Sequence, residues 1–315
     1  MVYKTFQTKI AGTLQSHLGP GYRLLFQKVP KNNGILLDGL SIIREGEKAS
    51  PTIYLNSYYE RYLEGIPFNS IIKEILQIYQ DNSSVTDLDF SILNDFSQLK
   101  EKVLYKLIHT ASNKEMLADM PWIPFLDLSI VFYLFLEQTE SGQMTALVHN
   151  DHMKAWGTDE KELKNLALAN TPSMLPPRLT SMSDVMKSIA REHLDGDYQE
   201  EFIDSLFSSQ AFSPLHVLTN SSGINGASAV LYPELLKNFA DRMESDLIIL
   251  PSSIHEVLLI PNTENASFED LANMVSHINR AEVPVEDRLS DQVYLYSRER
   301  DIVTIAGPAV SSVLS

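Results

Sequence analysis

A chain of 315 residues that is 44% apolar and 21% charged, with 13 Gly and 15 Pro, can bury a substantial core and is neither disordered nor collagen-like. It holds no cysteine, which excludes disulfides, thiolate zinc centres and thiol chemistry. The net charge is −16 and sits on one side of the chain: residues 1–110 carry 12 basic and 11 acidic side chains, residues 111–315 carry 13 and 30.

An acidic field of this size repels polyanions, so direct nucleic-acid binding and adhesion to anionic membranes are not expected. The longest apolar stretch, Phe125 to Leu136, contains Asp127 and falls short of the roughly twenty residues a bilayer crossing needs. The opening segment MVYKTFQTKIAG has no apolar run before a small-residue cleavage site, and a cytoplasmic location is the expectation.

In chain order, Phe6, Ile10, Leu14 and Leu18 mark an opening helix that stops at Gly19-Pro20-Gly21. Tyr22 to Val29 and Gly34 to Arg44 read as a hairpin around Lys31-Asn32-Asn33-Gly34. A strand in Pro51 to Asn56, a short helix Ser57 to Leu63, Gly65 and an amphipathic helix Asn69 to Tyr79 follow. That order recurs as strand Leu128 to Leu136, turn Glu140 to Gln143, strand Met144 to His149, short helix Asn150 to Trp156, Gly157, and a helix Asp159 to Ala169 capped by Thr158.

A third occurrence reads as strand Leu215 to Asn220, turn Ser221 to Gly226, returning strand Ala227 to Tyr232 and helix Pro233 to Met243. Behind it come a hairpin pair, Asp246 to Pro251 and His255 to Pro261, and a helix Ser267 to Ile278. The irregular tract Asn170 to Pro177 is the best boundary, and Met182 to Ser209 reads as a helical connector. The expected fold is α+β, with three diverged β-hairpin-plus-helix modules. Its expected division is a near-neutral module at 1–110, a central module at 111–180, an acidic connector at 181–212 and a C-terminal module at 213–315.

Two clusters could carry chemistry. His149-Asn150-Asp151-His152 places two imidazoles at helical i, i+3 spacing, where they could share a metal ion. A strand end at His149 and a cap at Asn150 would break that shared face, so no metal is expected. Ser253, His255 and Glu256 gather a hydroxyl, an imidazole and a carboxylate, as a hydrolase would, yet no Gly-x-Ser-x-Gly elbow surrounds them. A tight connection between buried strands, with the hydroxyls bonding to turn backbone, accounts for them better than catalysis does. Ser221 to Gly226 lacks the Lys-Ser/Thr ending of a phosphate loop, and no cofactor is expected. Tyr54, Tyr58, Tyr59, Tyr62 and Tyr79 fit core filling, with Tyr58, Tyr59, Tyr62 and Arg61 a partner-contact patch if exposed.

The densest charge is Asp195, Asp197, Glu200, Glu201 and Asp204, a negative ridge suited to a basic protein. The functional expectation is a noncatalytic interaction or regulatory protein with an acidic partner-binding surface, of the kind that mimics nucleic-acid charge. The alternative is a hydrolase-like enzyme using Ser253, His255 and Glu256 or a His149/His152 site.

At Lys31-Asn-Asn-Gly34, Pro51-Thr-Ile-Tyr-Leu55, Asp127-Leu-Ser-Ile-Val131, Trp156-Gly157 and Leu250-Pro-Ser-Ser-Ile-His-Glu256 the chain resembles a bacterial family known only as a domain of unknown function, common in clostridial anaerobes, over about residues 1 to 300. Its C-terminal half is more distantly similar to an uncharacterised bacillus family with the same Trp-Gly, Leu-Thr-Asn and Leu-Pro-Ser-Ser-Ile-His-Glu order. The resemblance implies a bacterial, cytoplasmic setting and supplies no catalytic residues.

Overall fold

The computed structural model describes residues 1–46, 50, 52–81, 93, 95–139, 142–193, 215–262 and 267–306. The chain divides into two compact units, residues 1–94 with 139–142 and residues 95–138 with 143–315.

In the first unit, α1 (Tyr3–Leu18) buries Phe6, Ile10 and Leu14, the three-to-four spacing read from the sequence. Strands β1 (Tyr22–Pro30), β2 (Leu36–Arg44) and β3 (Thr52–Tyr54) form an antiparallel sheet in the order β1-β2-β3. Helices α2 (Leu55–Leu63) and α3 (Phe68–Asp81) close the core, where Leu40, Ile42, Ile53, Leu55, Ile71 and Ile75 are buried. The guanidinium of Arg61 makes two 2.8 Å bonds to the Glu74 carboxylate, tying α2 to α3 and holding that carboxyl below its ordinary range. The tyrosines fill space rather than forming a surface patch: Tyr58 is buried, and Tyr59 and Tyr62 pack with Phe6 and Tyr3.

The second unit opens with α4 (Phe96–Leu99) and β4 (Val103–His109). It continues through α5 (Lys114–Leu117), β5 (Trp122–Phe125), β6 (Leu128–Thr139) and β7 (Gly142–Leu147). These strands form an antiparallel sheet in which β6 lies between β4 and β5 and also pairs β7. Helices α6 (Asn150–Trp156) and α7 (Glu160–Met174) lead to β8 (Pro177–Ser181) and α8 (Met182–His193). The rest comprises β9 (His216–Asn220), α9 (Leu235–Met243), β10 (Leu247–Leu250), β11 (Val257–Pro261), α10 (Phe268–Glu282), β12 (Tyr294–Ser297) and β13 (Ile302–Ile305). A six-stranded antiparallel sheet runs β13-β12-β10-β11-β9-β8. Val275 of α10 joins Ile248, Leu250 and Val293 in the core on this sheet.

The α+β class holds, while the three-module repeat is not established: β2, β3, α2, Gly65 and α3 follow one another in the first unit, and β6, β7, α6, Gly157 and α7 in the second, as chain order alone. The third occurrence departs from that order: Gly226–Leu231 is a buried 3-10 helix where a returning strand was expected, and β9 pairs instead with β8 and β11. Small side chains explain the difference, because Gly226, Ala227, Ser228 and Ala229 pack in a tight turn that Ser228 closes by donating to Asn225 O at 2.7 Å.

The tract Asn170 to Pro177 is regular over most of its length, since α7 continues through Pro172 to Met174. Asn170 Nδ2 donates to Lys100 O and Val103 O, and buried Thr171 donates to Ala167 O and accepts from Tyr105 N–H. These residues fasten the helix along β4, so polarity that reads as a loop is consumed in packing. The N-cap of α7 is Asp159, whose carboxylate accepts from Glu162 N–H at 2.8 Å, while Thr158 donates to the Glu162 carboxylate. The charge boundary at 110 falls after β4, which belongs with the second unit. Among the described residues no helix is long and apolar enough to cross a membrane.

One polar cluster links the two sheets of the second unit. Leu126, left-handed at φ 56°, turns β5 into β6 and presents Asp127, whose carboxylate accepts from Ser290 Oγ and Tyr294 Oη at 2.6 Å each. Tyr294 and Ser290 are buried, and burial beside Asp127 pushes the Tyr294 hydroxyl far above its ordinary range, so it remains a donor. Replacing Asp127→Ala leaves both hydroxyls without their acceptor; it is expected to cost about 2–4 kcal/mol, against about 1–2 for Tyr294→Phe, in chemical denaturation.

Candidate functional site

The Leu250 to Glu256 segment joins β10 to β11 and is gripped from two sides. On one side Thr219 Oγ1 donates to His255 O at 2.7 Å and Ala227 N–H to Ile254 O at 3.1 Å. On the other, Ile254 N–H donates to Asp287 O, Ser253 bridges to Arg288, and Ser290 N–H donates to Pro251 O. Ser253 Oγ accepts from the backbone N–H groups of His255 and Glu256 at 3.0 and 3.3 Å, a local turn bond.

The His255 ring is engaged at both nitrogens. Asn225 N–H donates to Nδ1 at 3.3 Å, so Nδ1 is the unprotonated nitrogen, and Nε2 stands 3.2 Å from the Asp287 carboxylate. Ser253 and His255 therefore meet through serine oxygen and histidine backbone, and neither ring nitrogen is bonded to the hydroxyl. Glu256 is exposed.

Beneath this segment, fully buried Asn220 organises the loop before the 3-10 helix. Its Oδ1 accepts from Ser222 N–H, Ser222 Oγ and Gly223 N–H, and its Nδ2 donates to Ile224 O. Asn225 takes the left-handed conformation, and Gly226 then passes so close that a Cβ there would overlap Thr219 Oγ1, His255 O and Asn220 N.

His149 and His152 form a second cluster. His149 ends the strand-side approach and caps α6, as its extended backbone requires, and Gly157 closes the helix in the left-handed region. Its Nδ1 stands 2.9 Å from Asp119, and its N–H donates to His152 Nδ1 at 3.0 Å. His152 stacks on Trp156 with centroids 5.2 Å apart, and Trp156 stacks on Phe96 at 5.1 Å. An open groove of about 720 Å³ runs beside α6 and the start of α7, with Asn150, Met153, Lys154 and Lys161 in its wall; neither histidine lines it.

Among the described residues, no hydrogen bond, ion pair or ring contact joins the His149/His152 cluster to the Ser253/His255 cluster. No three His, Asp or Glu side chains among them are grouped to hold a metal ion. The acidic run Asp195, Asp197, Glu200, Glu201 and Asp204, read from the sequence as a negative ridge, lies outside the described residues. Asn225, Asp287 and Asp119 complete the imidazole environments and escape sequence reasoning because each is about thirty residues from its histidine.

Fold and site define an α+β protein with three antiparallel sheets among the described residues, in which the imidazoles of His149, His152 and His255 are hydrogen-bonded to neighbouring protein groups. It belongs to a family of unknown function, DUF5688, whose model matches residues 3–298. Neither the curated proteins nor the solved structures yield a match.

Two outcomes follow from this geometry. Gly226→Ala is expected to destabilise the second unit by about 3 kcal/mol or more, measured by denaturant unfolding, because the methyl group meets backbone on two sides. The second concerns His152, which burial and then the neighbouring His149 hold below its ordinary value of 6.5, against a smaller upward pull from Asp119 and Asp151. The folded state thus resists the proton that the unfolded chain accepts, so this contribution is complete above pH 6.5 and is lost as the pH falls below it. Melting temperature is expected to drop as the pH is lowered from about 7 to about 5, and less steeply in His152→Gln.

Proposed function

We propose that this chain is a noncatalytic interaction protein whose acidic portion, residues 111–315, docks a basic protein. The observation that carries the reading is the charge division, 13 basic against 30 acidic side chains in that portion and near neutrality before it. Hydrogen bonding supports it from the other direction. A hydrolase would need His255 free to take a proton from Ser253, and both ring nitrogens face Asn225 and Asp287. A metal enzyme would need a third ligand beside His149 and His152, where the described residues supply Asp119 at one imidazole only.

The partner is a protein with a basic surface rather than nucleic acid, because attraction requires the opposite sign. Its expected footprint is the acidic run of Asp195, Asp197, Glu200, Glu201 and Asp204. Immobilised chain is expected to retain a basic protein from host lysate at about 50 mM salt and release it by about 0.5 M, as surface attraction is screened. Combining Asp195→Asn, Asp197→Asn, Glu200→Gln, Glu201→Gln and Asp204→Asn should abolish retention with little change in melting temperature. Retention that survives both salt and substitution defeats the proposal.

A further inference from the structure

The opposite sign is concentrated at the other end of the chain. Residues 1–44 hold six basic side chains, Lys4, Lys9, Arg23, Lys28, Lys31 and Arg44, and one acidic side chain, Asp38. Three of the six lie on β1 or the turn that follows it, and β1 is the edge of its sheet, paired among the described residues with β2 alone.

The register identifies the groups on the open edge. Glu45 N–H donates to Gly21 O and Lys31 N–H to Ile35 O, so the odd-numbered positions of β1 exchange backbone bonds with β2. The even-numbered positions point their N–H and C=O outward. Gln15 Nε2 takes the outward carbonyl of Tyr22, and Pro30 has no N–H to offer. Leu24, Phe26 and Lys28 thus present a ladder that no strand pairs among the described residues. Leu25 and Phe26 are each about two-fifths exposed, at 40% and 39%, and Leu36 across the hairpin reaches 58%. The Arg23 side chain forms no ion pair among the described residues, and the Lys28 side chain is 61% exposed although it meets Asp38.

An edge strand of this length with exposed apolar side chains is a template for strand addition, which stable monomers usually blunt. From the open ladder and its charge, we infer that β1 receives an acidic extended segment of a partner protein as a fourth strand. Backbone bonds at Leu24, Phe26 and Lys28 supply the register, Leu25 and Phe26 the apolar contact, and Arg23, Lys28 and Lys31 the preference for carboxylates. The same charge disfavours a β1-to-β1 pair between two copies, which would bring these cations together.

The test uses the full chain and a fluorescein-labelled, end-capped peptide of alternating Glu and Val about eight residues long, followed by anisotropy and amide exchange. Expected are binding that weakens with salt, and slowed exchange at the Leu24, Phe26 and Lys28 amides. Affinity should fall at least about tenfold in Arg23→Glu/Lys28→Glu, and again in Lys28→Pro, which removes one outward N–H and no bond to β2. Arg23→Glu alone, at an exposed position, gives the same direction should the proline variant unfold. Equal binding of a Lys-Val peptide, affinity unchanged in Arg23→Glu, or protection of β1 by concentration-dependent self-association overturns the inference.

Discussion

Much of the second unit depends on one constraint, that the part-buried backbone between β10 and β11, with Pro251 and Ile254 buried, must have its polar groups satisfied. Pro251, Ile254 and His255 offer carbonyls, and each is met by a donor from elsewhere: Ser290 N–H, Ala227 N–H and Thr219 Oγ1. Because those donors belong to three different stretches of chain, satisfying one short connection brings β9, the 3-10 helix and the segment before β12 into register. Ser290 extends the chain of bonds further, through its hydroxyl to Asp127 and so to the turn between β5 and β6. A lost acceptor here would leave a buried hydroxyl or amide unpaired, which costs more than a bond's net worth.

That constraint explains why the Pro-Ser-Ser-Ile-His-Glu string combines residues that look catalytic. Ser253 closes a turn, and the His255 ring receives an amide from a left-handed Asn225 while Asp287 stands at its other nitrogen. A hydroxyl and an imidazole close in sequence are a weak sign of chemistry when a turn can use both. The discriminating fact is the direction of each hydrogen bond, and direction is set by residues thirty positions away.

Legibility followed the range of the interaction. Helix α1, the β1-β2 hairpin, the short helix α6 and its closing Gly157 depend on local spacing and turn chemistry, and all were readable from the chain alone. Ala227 to Tyr232 was misread because its apolar pattern suits a strand as well as a buried 3-10 turn, and the choice is made by the close pass of Gly226 against Thr219 and His255. Asn170 and Thr171 were misread for the opposite reason, since residues that break helices when solvated stabilise this one by bonding to β4. Strands β12 and β13, which extend the six-stranded sheet, carry too little local pattern in four residues each to be seen without their partner β10.

Charge, by contrast, was legible in full and obeys no packing boundary. The change of sign near residue 110 falls behind β4, a strand whose every paired neighbour lies in the acidic portion, so it cannot reflect how the chain folds. Packing selects side chains by shape and by the bonds they complete, and the salt bridges found among the described residues are mostly exposed pairs of small energetic consequence. A net of many carboxylates on one portion adds self-repulsion that folding does not require. The charge asymmetry therefore asks for a reason other than the stability of the fold, and the proposed docking of a basic protein is one that would supply it.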